Sequence, residues 1–147
     1  VDVPSIETIY GIVFERVAEL FPPNIVLEAE PGRSLVADAG ALVGSVLGKA
    51  GRDGENWLYL DIGVFNGLME AIGNIPYKFT PLEYHGGDYM KWTVAGPSCD
   101  SFDVIAKDIS LPELAVGDKL FITPGGAYTT AYASSFNGVQ IPSVVVV

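Results

Sequence analysis

Four short clusters carry the side chains able to bind charge or move protons. Glu30-Pro31-Gly32-Arg33 follows an apolar run, Ile25-Val26-Leu27. Sites in α/β folds form at the carboxyl ends of strands. An acid there faces a ligand, and Gly32 lets the backbone turn so that Arg33 points to the same space. The plain alternative is a turn in which Arg33 pairs with Glu28 or Glu30 on the surface. Gly96-Pro97-Ser98-Cys99-Asp100 sets a thiol beside a carboxylate in a Gly-Pro turn that holds them rigidly and exposed. A lone cysteine is more commonly buried and inert. Pro124-Gly125-Gly126-Ala127-Tyr128-Thr129 offers backbone N–H groups and a phenol to a phosphate, or is an ordinary strand-to-helix turn. Ser134-Ser135-Phe136-Asn137-Gly138 reads as a turn with Phe136 packing in a core or an interface.

The elements that must position these clusters follow from periodicity. Apolar residues from Ile6 to Phe21 recur at helical spacing, Ser5 suits the N-cap, and Pro22-Pro23 stops the helix. Ile25-Val26-Leu27 reads as a strand buried on both faces. Beyond residue 34 the pattern predicts strands at 41–50, 57–61, 91–95, 119–123 and 144–147. Turn sequences such as Arg52-Asp53-Gly54 and Val116-Gly117-Asp118 separate them. Short helices are expected at 64–72 and within 128–135, and a long loop over 73–90. The fold class is therefore mainly β with α: a helix–strand appendage, residues 1–34, and a β domain, residues 35–147, an antiparallel barrel or sandwich on this pattern, with a Greek-key barrel the architecture expected. The appendage leaves apolar faces that invite self-association.

Composition narrows the function. Of 147 residues, 49 % are apolar and 18 % charged, which excludes intrinsic disorder. Eighteen acids against eight bases give a net charge of −10. That surface repels phosphate backbones, and the bases are scattered, so neither nucleic acid nor an anionic membrane is an expected partner. No apolar run is long enough to span a bilayer. One cysteine and one histidine leave no disulfide framework and argue against a transition-metal site; the default compartment is the cytoplasm. A cysteine hydrolase using Cys99 and His85 is a minor alternative. The abrupt ends, Val1-Asp2 and Val144 to Val147, suggest a fragment.

In order along the chain, "AEPGRSLV", "YLDIGVFNGLMEA", "VAGPSCDSFD" and "GAYTTAYASSFNG" resemble the pyridoxal-phosphate-dependent ornithine/lysine decarboxylases. Members have an alanine-racemase-like architecture, a (β/α)8 barrel followed by a C-terminal β domain. The resemblance implies that residues 1–34 are the last helix and strand of the barrel. It implies that Glu30 pairs with the cofactor's ring nitrogen and that Arg33, next to Gly32, binds the cofactor phosphate with Tyr128. Cys99 and Asp100 would reach across a dimer interface into the partner's site. There Cys99 would steer protonation and Asp100 would hold the distal amine of a diamino acid, with Phe136 near the interface. The product would be a polyamine precursor, putrescine or cadaverine.

Departures from the family pattern qualify this. The family's cofactor-binding lysine, glycine-rich phosphate loop and ring-stacking histidine would lie upstream of Val1. None of Lys49, Lys78, Lys91, Lys107 and Lys119 stands in a matching motif. The chain is thus expected to be inactive alone and to need a barrel-containing chain or a homodimer of the complete enzyme. Asn74 falls roughly where relatives place an acid for the substrate amine. A non-catalytic, decarboxylase-like regulatory module is the alternative; retention of Glu30, Arg33, Cys99, Asp100 and Tyr128 argues against it.

Overall fold

A computed structural model describes residues 3–147. It divides into two compact units, with the division between Leu35 and Val36.

The first unit contains helix α1, Ile6–Leu20. Ser5 caps it: the Thr8 N–H donates to Ser5 Oγ at 3.3 Å. The chain leaves the helix at Phe21, just before the two prolines, as expected from their missing amide donors. No residue of α1 is buried, and Ile12, Phe14 and Leu20 stand exposed. The expected strand at Ile25-Val26-Leu27 is absent; this run is exposed coil. A strand exists only through a neighbour that satisfies its amides, and no ladder partner for this run occurs among the described residues.

The second unit is a six-stranded sheet: β1 Leu42–Arg52, β2 Glu55–Leu60, β3 Lys78–Pro81, β4 Tyr89–Ala95, β5 Val104–Pro112 and β6 Lys119–Thr123. The spatial order is β3-β6-β1-β2-β4-β5. Strand β6 returns to lie beside β1. Strand β1 serves two ladders. Residues 42–45 pair with β6, and from Val46 onward it pairs with β2, with a register shift between Val46 and Gly48. That irregularity bends the strand and curls the sheet around one core. Leu58 and Leu60 of β2 meet Leu120 and Ile122 of β6 there, each fully buried, while Trp57, Tyr59 and Phe121 alternate outward.

Further expectations are corrected. The sheet is not purely antiparallel, because β2 and β4 run parallel. The span 73–90 is not one loop, since it contains β3, a short edge strand ending in proline. Strand β5 carries no sequence alternation that marks it, because Lys107 and Asp108 are looped out between the β4 pairings of Ala106 and Ile109, with Asp108 at φ 57°. Val144 to Val147 is exposed coil. The helix expected at 64–72 is reduced to a 3-10 turn, Met69–Gly73. Within 128–135 only an isolated turn forms, because Tyr128 adopts φ 54°.

Asp118 fastens the turn between β5 and β6. Its carboxylate accepts the Ala115 N–H at 2.7 Å and both its oxygens lie within 3.0 Å of His85 Nε2. The Ala115 amide first, and His85 second, hold the Asp118 carboxyl below its usual range. A depressed carboxyl stabilises the fold above its unfolded value of about 4 and loses that contribution as pH falls through the lower folded value. Protection of the Ala115 amide, taken relative to its intrinsic exchange rate, is therefore expected to hold at neutral pH and to fall only below about pH 4. Protection already lost above about pH 5 would show that the Asp118 carboxylate is not what holds this amide.

Candidate active site

Three segments of the sheet unit are lashed together around Cys99 and Asp100. The organising residue is Asp103, only 2 % exposed. One carboxylate oxygen accepts the Val64 N–H at 2.7 Å and the other the Ser98 N–H at 2.8 Å. Its backbone carbonyl takes the Gly96 N–H at 2.8 Å. Gly63 and Gly96 lie so close that a methyl on Gly63 would sit 2.7 Å from Gly96 Cα and collide with the Asp103 carboxylate. Glycine is required at both places by this approach.

The third segment, residues 134–140, is tied to the 61–66 loop. Ser134 N donates to the Phe65 carbonyl at 2.8 Å, and the rings of Phe65 and Phe136 lie 4.5 Å apart. Asn66, 2 % exposed, accepts the Gly63 N–H and donates to the carbonyls of Asp61 and Gln140. Every polar atom of this buried amide is thereby engaged.

On this frame Cys99 is exposed and takes a hydrogen bond from Asn137 Nδ2 at 3.3 Å. Asp100 is half-buried; its Oδ1 accepts the Phe102 N–H at 2.8 Å. The structure thus brings Cys99, Asp100 and Phe136 into one neighbourhood, with the thiol accessible rather than inert. His85 is not joined to Cys99: its ring is committed to Asp118, which removes the basis for a cysteine–histidine hydrolase. Asn74 is exposed at the end of the 3-10 turn, where it borders a groove of about 470 Å³ with Ile72, Phe102 and Lys107.

Tyr128 is 39 % exposed and stacks on Tyr132 at 5.6 Å. The neighbouring glycine amides do not offer a phosphate cradle. Gly125 N donates to the Gly40 carbonyl at 2.8 Å and Gly126 N to the Ala37 carbonyl at 2.9 Å. A side chain on Gly126 would strike the Val36 carbonyl, so these glycines serve backbone packing. In the first unit, Glu30 and Gly32 lie in exposed coil and Arg33 opens a 3-10 turn, Arg33–Leu35, also exposed.

Asp103, Asn66 and Asn137 were not singled out from sequence. A polar Asn66 inside the apolar run Ile62 to Leu68 was the one available signal.

A curled mixed sheet presenting a thiol–acid turn on its rim defines the class of domain. The model for the pyridoxal-dependent decarboxylase C-terminal sheet domain matches residues 10–126, and the chain belongs to that family. A lysine/ornithine decarboxylase of Selenomonas ruminantium is 36 % identical over 133 residues, 90 % of this chain and 33 % of that protein. Among solved structures, the lysine/ornithine decarboxylase of Vibrio vulnificus complexed with cadaverine superposes with TM-score 0.85 at 36 % identity, over 95 % of this chain and 38 % of the other. The arginine decarboxylase of Paramecium bursaria Chlorella virus bound to agmatine gives 0.83 at 28 %, over 94 % and 39 %. The chain spans about a third of the length of the curated relatives it matches.

Proposed function

We propose that this chain is the C-terminal portion of a cytoplasmic, pyridoxal-phosphate-dependent decarboxylase that converts lysine or ornithine to cadaverine or putrescine. The observation that carries the reading is the accessible Cys99–Asp100 pair on a buttressed turn, in a chain 36 % identical to a lysine/ornithine decarboxylase. Residues 1–34 are taken as the last helix and strand-forming segment of a (β/α)8 barrel, which would supply the missing neighbour for Ile25-Val26-Leu27.

The donor set suits the cofactor. Its phosphate is an anion, matched by the Arg33 guanidinium and the Tyr128 hydroxyl. Its ring nitrogen, when protonated, is matched by the Glu30 carboxylate, since an opposite charge favours the charged form. Gly32 lets the chain turn between the two. Bound there, the cofactor supplies an electron sink for the carbon that loses CO2. In a dimer with shared sites, Asp100 binds the distal ammonium of the diamino acid, Cys99 holds a proton at Sγ for delivery to substrate, and Phe136 packs at the interface.

The chain by itself is expected to release no CO2 from lysine or ornithine. Mixed with a chain carrying the barrel half and pyridoxal phosphate, it should form a complex in size exclusion and gain activity. Inhibition of an intact decarboxylase without gained activity would favour a regulatory module. Turnover by the chain alone would overturn the reading.

A further inference from the structure

We propose that Asn137 is the positioning residue for Cys99, its side-chain amide fixing the thiol sulfur in the orientation that proton delivery needs. This rests on the role given to Cys99 above. The bond itself is Asn137 Nδ2 to Cys99 Sγ, 3.3 Å, across 38 positions of sequence. Its two ends are anchored independently. The Cys99 turn is held through Asp103, which gathers the Val64 and Ser98 amides. The Asn137 turn is held by Gly138 N on the Ser135 carbonyl, by Val139 N on the Phe136 carbonyl, and by Phe136 against Phe65.

Asn137 sits at φ 53°, ψ 24°, a left-handed conformation that asparagine tolerates better than other residues bearing side chains. That conformation fixes where its side chain leaves the backbone. An exposed cysteine otherwise samples three staggered wells about χ1. An amide donor over the sulfur selects among them and favours a sulfur that carries negative charge after the proton leaves. Asn137 touches the thiol and not the substrate, so it acts through Cys99. The ionisable residues on the segments that meet here are Asp61, Asp100 and Asp103, all acids; the 134–140 segment has none. Among these acids the Asn137 donor is aimed at the sulfur itself.

Asn137→Asp and Asn137→Gly both keep the left-handed backbone, and both remove the donor. In the assembled enzyme each is expected to lower kcat about tenfold with KM for lysine or ornithine within about twofold. In the chain itself, labelling of Cys99 by iodoacetamide, read by peptide mass spectrometry at pH 8, is expected to slow about threefold or more in Asn137→Asp, because a carboxylate beside the sulfur opposes its ionisation. Unchanged circular dichroism in the two variants checks that the turn survives. Wild-type labelling together with wild-type kcat in Asn137→Asp, while Cys99→Ala is impaired, would overturn the positioning role alone. Full activity of Cys99→Ala would overturn the role of the thiol itself.

Discussion

Asp103→Ala is expected to destabilise the sheet unit by about 3–6 kcal/mol, from two charge-assisted hydrogen bonds worth about 1.5–3 kcal/mol each. The loss comes from both sides of one carboxylate. Val64 N and Ser98 N are left without acceptors in a buried site, 2.7 and 2.8 Å from where the oxygens were. A typical domain has only about 5–15 kcal/mol in hand, so a large fall in the urea midpoint is expected. Asp103→Asn retains one acceptor and should lose roughly half as much. Because Asp103 ties the turn after β2 to the Cys99 turn, partial unfolding should also raise exchange at Ser98 before the β2 amides. Equal midpoints for wild type and Asp103→Ala would show that water satisfies these amides and that the buttress is not structural. Gly96→Ala, which would push a methyl into the same carboxylate, provides an independent route to the same collapse.

Asp100→Ala is expected to give the largest loss of function. If Asp100 holds the distal ammonium of the substrate, truncation in the assembled enzyme should cost about 2–5 kcal/mol of transition-state binding, a fall of about 30- to 5,000-fold in kcat/KM carried mainly by KM. Asp100→Asn separates charge from structure. Its amide oxygen can still accept the Phe102 N–H that Asp100 Oδ1 takes now, so the turn survives while the charge is gone. Both variants should also narrow the preference for lysine over an analogue whose tail ends in a methyl group. Undiminished discrimination in Asp100→Asn would place the tail-binding acid elsewhere.

Legibility from sequence followed the range of the interactions. Helix α1 was readable to within a residue because its determinants are local: the Ser5 cap, the 3–4 spacing and the two prolines. Strands β1, β2, β4 and β6 were readable as apolar runs bounded by turn residues, with alternation visible in β2, where Leu58 and Leu60 stand against Trp57 and Tyr59. Strand β5 was not, since a bulge at Lys107-Asp108 breaks its period. The runs Ile25 to Leu27 and Val144 to Val147 have strong strand composition and form none, because a strand depends on the presence of a partner.

The same division holds at the site. Residue types and turn chemistry marked out Cys99 and Asp100 and the excess of acids, and the resemblance to the decarboxylase family rested on four motifs in order along the chain. The tertiary structure alone decided that Asp103 is the buttress, that Asn66 reaches the Gln140 carbonyl and Asn137 the Cys99 sulfur, and that the Gly125 and Gly126 amides are already taken. Each of those contacts joins segments dozens of residues apart. Composition reports what a side chain can donate or accept, but only the folded path of the backbone fixes which distant group it meets.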